Sequence, residues 1–495
     1  MKLDKNIHTI VMSDLHLSDA EPVIQDNPLW KKFRQKQHFI DKDFEKFLVA
    51  FDTKINAPIE LVLNGDIFDF DSVMSLPNEN EIKYSSHEKK RGLGSSEKKS
   101  TFKIQKILED HKLWIDALTS FLKKGNKVIF VIGNHDVELH WPKVQKTIIS
   151  MMNLPLELER NVVFCEWFYI SNNDTLIEHG NQYDPYCVCI DPVNPTVLNR
   201  KSEIIRLPFG NLANKYLVNG MGLKNPHDDS AFIMSAMGFV RFFLKYELKV
   251  QPFLFWTWLT GAIRTLFVYT KQSWLPSLRD PLTLELKIEK MAKKAQTSVR
   301  NLRIAREFHA HPAAFKPFTV LRELWLDRAL FLLLIFGGSF QFFSTTNLIV
   351  DVSFWWFFIP FIITLPFFAL YARGVSSDVR AHAQKSEEKI YQVAKAIGVS
   401  RIIQGHTHRL VHKYLQGVEF INTGSWTPVF HDPECTKPYG KMPFAWIQPA
   451  ELDGRESFLY LFQDGEFKIV RQSEEQGKST NLANSNNYIL KSVNE

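Results

Sequence analysis

Four separate segments of the chain share one layout, a short aliphatic run that passes directly into Asp, His or Asn. They read HTIVMSDLH at residues 8–16, IELVLNGDIFD at 59–69, KVIFVIGNHD at 127–136 and SRIIQGHTH at 400–408. Each run is apolar on both faces, which predicts central strands covered on each side. Helical spacing of apolar residues fills the gaps at 44–51, 102–122 and 378–397. Lys123-Lys124-Gly125 and Gly398 are conventional helix stops before the third and fourth strands. Strands alternating with helices, with polar residues at the strand exits, predict an α/β fold whose site lies at the carboxyl ends of the strands.

Two stretches interrupt this alternation. Residues 72–100, ending HEKKRGLGSSEKKS, are polar and read as a solvated loop beside the site. A much longer insertion, 191–384, divides a first catalytic part, 1–190, from a second, 385–470, and a polar tail without packed structure is expected over 471–495. Inside the insertion, 329–350 and 352–371 contain no charged residue and are separated by Asp351. At about 20 residues each, they are long enough to cross a bilayer as helices. Ser344, Thr345, Thr346 and Asn347 are the predicted turn of a helical hairpin over 329–371. The aromatic run 232–270 keeps Arg241, Lys245, Glu247, Lys249 and Arg264, a mixture suited to helices lying in a lipid interface. A basic helix over 284–308 fits anionic lipid or a solvated face equally well. Arg322 and Arg328 precede the hairpin while Arg373 and Arg380 follow it, which places both ends, and the catalytic parts, on the cytoplasmic side of a membrane.

Composition adds little. A net charge of +6 is mild for 495 residues and does not imply nucleic acid. The four cysteines are too few and too irregular for a disulfide framework or a structural zinc site, and read as reduced thiols. The first residues form a strand and carry no signal-peptide apolar region.

The strand exits carry the chemistry. They present Asp14 and His16, then Asp66 and Asp69, then Asn134, His135 and Asp136, then His179 in LIEHGNQYD, then His406 and His408. Carboxylate and amide oxygens mixed with imidazoles, without thiolate, suit Mn²⁺, Fe, Zn²⁺ or Mg²⁺. A pair of such ions clamps a phosphoryl group and lowers the pKa of a water. Asp19, Asp71, Asp184, His140, His309, His311 and His412 read instead as surface or hydrogen-bonded residues. Arg409, directly after GHTH, is a candidate phosphate contact because its guanidinium fork matches phosphate oxygens. NTGSW at 422–426 reads as packing at a strand exit.

DLH, GDIFD, GNHD, HG and GHTH, in this order, resemble the calcineurin-like metallophosphoesterase family. The resemblance implies a β-sandwich flanked by helices, here with a large, mostly helical, membrane-associated insertion. It implies that Asp14, His16 and His408 hold one divalent ion, that Asn134, His179 and His406 hold another, and that Asp66 bridges the two. A bridging hydroxide would attack phosphorus, His135 would protonate the leaving oxygen, Asp69 would orient His135, and Asp136 would be structural. SDLHL, GDIFDF and GHTHR look most like the UDP-2,3-diacylglucosamine pyrophosphatase-like branch, which cleaves a lipid-linked nucleotide sugar. Two features depart from that branch: His135 stands where Arg is frequent, and the insertion is far larger than its lipid-binding cap. The expected activity is therefore a metal-dependent phosphohydrolase acting on a phosphoester or pyrophosphate of a membrane-associated substrate. The alternatives are a nuclease or cyclic-nucleotide phosphodiesterase of the same fold, or a non-catalytic membrane scaffold. The lack of a basic stripe on the catalytic parts counts against nucleic acid as partner.

Overall fold

The computed structural model describes residues 6–199, 202–223, 225–227, 241–277, 280–375, 387–450, 454–472 and 488–492. The expected helix segment 378–386, Arg380, the run 232–240 and most of the polar tail lie outside these residues.

In chain order the strands are β1 (His8–Met12), β2 (Ile59–Asn64), β3 (Lys127–Val131), β4 (Val162–Cys165), β5 (Phe168–Ser171), β6 (Thr175–Glu178), β7 (Thr196–Asn199) and β8 (Ser202–Ile205). After the insertion come β9 (Arg401–Gln404), β10 (Leu410–Leu415), β11 (Val418–Thr423), β12 (Pro443–Pro449), β13 (Arg455–Gln463), β14 (Glu466–Gln472) and β15 (Tyr488–Ser492). One sheet has the order β15-β14-β13-β12-β1-β2-β3-β4, a second β10-β11-β9-β6-β5, and a third is the two-stranded pair β7-β8. The polar tail thus contributes β15, which runs antiparallel to β14, where the sequence predicts no packed structure.

The apolar character of both strand faces follows from layering. Val11, Val62, Ile129 and Val131 of the large sheet pack with Ile177, Ile403 and Ile421 of the small one, filling the space between the sheets. Ile10, Met12, Leu61, Leu63 and Phe130 point the other way, into helices on the outer face. The helix Asp41–Lys54 buries Phe44, Phe47, Leu48 and Phe51, spaced to fall on one side. On the far side of the small sheet, Ile288, Met291, Ala292, Leu302 and Ala305 of the insertion pack with Val393 and Ala394 against Leu176, Ile402 and Phe420. The result is a mixed α/β fold of two sheets between helices.

Several local expectations are corrected. The helical run 102–122 is two helices, Glu97–Asp110 and Lys112–Lys123. They break at His111, whose buried ring bonds Asp41 Oδ1 at 2.7 Å and the Ser18 carbonyl at 2.9 Å. Residues 72–100 are not a solvated loop. Ser85 and Glu88 form a capping box on the helix Ser86–Arg91, Val73 and Leu93 are buried, and Ser95 Oγ donates to the Ile205 carbonyl. The basic helix 284–308 is split into Pro281–Lys294 and Val299–Glu307, the second capped by Ser298.

Among the described residues, two helices of the insertion are long and apolar enough to cross a membrane, Leu326–Ile349 and Phe354–Gly374. The turn falls after the predicted polar quartet, because those residues satisfy themselves on the helix: Thr346 Oγ1 donates to the Phe342 carbonyl at 2.8 Å. Asn347 Oδ1 instead accepts the Val352 N–H at 3.1 Å, closing the turn one step later.

Candidate metal centre

Parallel strands β1, β2 and β3 deliver their carboxyl ends side by side, and β6 and β9 do the same from the facing sheet. The chain then turns sharply. Asp14, His16, Asp66, His406 and His408 all have positive φ, from 50° to 66°. Five non-glycine residues in this costly conformation at one place point to a backbone held for the sake of its side chains. The loops brace each other: Asp14 N–H donates to the Gly65 carbonyl at 3.1 Å and His16 N–H to the Asp66 carbonyl at 2.9 Å. From NTGSW and the Thr427 that follows it, the Ser425 and Thr427 hydroxyls and the Trp426 N–H all donate to the Asp14 carbonyl.

The donor atoms fall into two groups. Asp14 Oδ1 lies 3.2 Å from His408 Nε2 and 3.9 Å from His16 Nε2, and the two imidazole nitrogens are 3.3 Å apart. Asp66 Oδ2 lies 3.0 Å from His179 Nε2, and His406 completes a second group with them. Asn134 is buried, and its Oδ1 has no hydrogen-bond partner among the described residues; the same holds for Asp14 Oδ1 and His179 Nε2. Buried oxygen and nitrogen acceptors left unpaired and converging fit a divalent cation. Hard oxygens and imidazoles without thiolate are the donor set such an ion takes.

Hydrogen bonds behind these rings decide which nitrogen faces the centre. His179 Nδ1–H donates to the Asn64 carbonyl at 3.0 Å, which leaves Nε2 turned to Asp66. His408 Nδ1–H donates to the His227 carbonyl at 3.3 Å, which leaves Nε2 turned to Asp14. His406 is reversed, its Nε2–H meeting Asp184 Oδ2 at 3.2 Å so that Nδ1 is the free nitrogen. Asp184, read from sequence as a surface or hydrogen-bonded residue, is thus the hydrogen-bond partner of a candidate ligand.

His135 sits between carboxylates. Its backbone N–H donates to Asp66 Oδ1 at 2.7 Å, and its Nδ1 lies 3.4 Å from both Asp69 Oδ1 and Asp71 Oδ2. The expected one-to-one pairing with Asp69 is replaced by a shared position, with Asp71 as an unforeseen second partner. Asp69 Oδ2 is taken by the Ser72 hydroxyl and by His227 Nε2 at 2.9 Å. Burial alone lowers the pKa of His135, but Asp66, Asp69 and Asp71 together raise it well above the usual imidazole range. Burial disfavours charge on Asp66 as well, yet His179 and His135 hold its carboxyl well below the usual range. Asp136 works on the backbone, accepting from Ile67 N–H at 2.8 Å and Gly133 N–H at 2.7 Å. It ties the GDIFD and GNHD turns together.

Of the other candidates, Arg409 is exposed. His140 bonds two backbone carbonyls, His412 bonds Glu419, and Asp19 pairs with buried Arg34. His227 has no motif around it, and sequence reasoning missed it. Its ring stacks on His16 with centroids 3.5 Å apart.

No curated protein matches the chain. Several solved structures share a limited likeness, among them the following two. Vacuolar Protein Sorting 29 from Cryptosporidium parvum is 23% identical over 17% of this chain and 40% of its own, at a TM-score of 0.13. Wild-type Vps29 complexed with Zn²⁺ from Entamoeba histolytica is 28% identical over 17% of this chain and 43% of its own, also at 0.13. The chain therefore spans only about two fifths of the length of these structures. Residues 7–231 match the family described as Calcineurin-like phosphoesterase.

Proposed function

We propose that this chain uses two divalent ions to hydrolyse a phosphoester or pyrophosphate of a substrate at a membrane. The observation that supports it is the convergence of the donor atoms within the Asp14–His16–His408 group and within the Asp66–His179–His406 group, together with the buried, unpaired oxygen of Asn134 in the turn after β3. When bound, the two ions would supply Lewis acidity at the phosphoryl group and a nucleophile at neutral pH. Asp66 lies between the two donor groups in the family pattern, and its Oδ1 accepts the His135 backbone N–H at 2.7 Å. His135 holds a proton next to Asp69 and Asp71 and donates it to the leaving oxygen.

A membrane location rests on the exposed apolar faces of the hairpin helices. Both ends of the hairpin carry arginine, so the catalytic parts lie on the cytoplasmic side. Lipid-linked nucleotide sugars, the substrate type of the branch that the motifs resemble, are the first class to assay.

The test is hydrolysis by the detergent-purified protein with Mn²⁺, on aryl phosphomonoesters and phosphodiesters, nucleotide-sugar lipids, lipid phosphates, cyclic nucleotides and oligonucleotides. Activity abolished by Asp66→Ala is the expected result. A pure, metal-loaded preparation inert to the whole panel would sink the reading.

A further inference from the structure

The insertion returns to the centre at two points, and each takes one of the carboxylates beside His135. Asn211, in the buried helix Phe209–Tyr216, donates through Nδ2 to Asp71 Oδ2 and at 2.7 Å to the Asn134 carbonyl. His227 donates through Nε2 to Asp69 Oδ2 at 2.9 Å. Asp69 and Asp71 are thereby both anchored from outside, and His135 stands 3.4 Å from each.

His227 is itself fixed on several sides. Its ring lies flat on His16, with centroids 3.5 Å apart and 19° between the planes, and edge-on to His135 at 5.2 Å. Its backbone N–H donates to Asn225 Oδ1 at 3.1 Å, and Asn225 Nδ2 reaches the Pro428 carbonyl at 3.0 Å. The same residue's carbonyl accepts from His408 Nδ1. With only 7% of its side chain exposed, this imidazole is held by its partners and does not sample solvent freely.

We propose that His227 is a positioning residue of the reaction, holding Asp69 so that His135 is aimed by two carboxylates at once. This rests on the phosphohydrolase reading above and deepens it, because it makes the insertion part of the catalytic centre. Without His227, Asp69 keeps two bonds from one side only, the Ser72 hydroxyl to Oδ2 and the Ser72 N–H to Oδ1 at 3.2 Å, and its carboxylate can shift towards His135, pulling that ring out of its shared position. A displaced proton donor slows the chemical step and leaves substrate binding nearly intact. The contact to His408 comes from the backbone, so a side-chain substitution preserves it.

The experiment compares wild type, His227→Ala, His227→Gln, Asp69→Asn and the double variant His227→Ala/Asp69→Asn, each loaded with Mn²⁺. The substrate is whichever aryl phosphoester the wild type cleaves. Metal content and thermal midpoint are measured for each preparation. His227→Ala is expected to keep its metal and lose about 10–100-fold in kcat, with KM changed less than about 3-fold. The Gln amide can still donate to Asp69, so His227→Gln should recover most of the loss. The double variant should be no slower than Asp69→Asn alone, since both substitutions break one link. Unchanged kcat in folded, metal-loaded His227→Ala overturns the proposal, as do multiplicative losses in the double variant. An inert wild type overturns the phosphohydrolase reading together with this one, so the two failures are told apart by the wild-type control.

Discussion

At the scale of single residues, the centre is governed by which nitrogen each imidazole offers. Asp184 holds His406 by Nε2, and removing that partner frees the ring to flip or change tautomer. Asp184→Ala is therefore expected to weaken Mn²⁺ binding by about 10–100-fold with little change in the thermal midpoint, as is usual for the partner behind a metal ligand. Metal titration by calorimetry checks it, and equal affinity for the two proteins would rule the role out. Gly65 shows the same dependence in the backbone. Its φ is 80°, and a Cβ there would stand 2.5 Å from His179 Cγ. Gly65→Ala should displace that ring and lower metal occupancy, measured on the purified protein, far more than Gly125→Ala, where a Cβ meets nothing within 4 Å. The candidate ligands were legible in the sequence because a strand followed by Asp, His or Asn marks itself locally. Asp184 and His227 were not, because their partners lie 222 and 158 positions away and only folding brings them together.

At the scale of elements, two buried ion pairs tie secondary structure together. Lys103, in the helix Glu97–Asp110, donates to Glu138 in the turn after GNHD at 2.5 Å, and both side chains are 1% exposed. Replacing Glu138 by Ala strands a buried ammonium, which costs about 3–5 kcal/mol. Denaturant unfolding of the detergent-solubilised protein measures it, and a loss below about 1 kcal/mol would contradict the structure. On the small sheet, burial favours protonation of Glu419, but His412, Arg401 and Ser457 bring its pKa from 4.5 down to about 2. The unfolded chain thus takes up this proton first. The stability contributed above about pH 4.5 is progressively lost as pH falls towards 2. Between pH 5 and 3 the thermal midpoint of wild type should fall more steeply than that of Glu419→Gln; parallel curves would show that the link is absent. Strands and the amphipathic helix at 41–54 were readable because their periodicity is unbroken. The break at His111 was not, since its cause is a histidine bonded to Asp41 and Ser18 from other parts of the chain.

For the whole molecule, the order of strands along the two sheets could not be read from local pattern, although the two-faced apolar runs did require covering layers. What the pattern did expose was the hairpin, and its surface sets a physical demand. Leu333, Leu334, Ile362, Ile363, Phe367 and Leu370 are each more than 60% exposed. Burying such side chains is worth roughly 1.5–3 kcal/mol apiece, so leaving them in water is a cost that lipid removes. Polar groups gather at the base instead, where Tyr371 Oη donates to Asp327 at 2.7 Å and Arg328 to the Arg322 carbonyl at 3.0 Å. Leu334→Lys/Ile363→Lys should therefore oppose insertion by about 5–7 kcal/mol, summing two central cations. In a flotation assay with phosphatidylcholine–phosphatidylglycerol vesicles, wild type should rise with the lipid and the double variant should remain at the bottom. Because neither side chain is part of the catalytic core, hydrolysis of a small water-soluble phosphoester should be retained by the variant. Cleavage of a vesicle-embedded substrate should fall with flotation. Wild type that stays in the aqueous fraction without detergent would remove the membrane from this account while leaving the chemistry of the centre untouched.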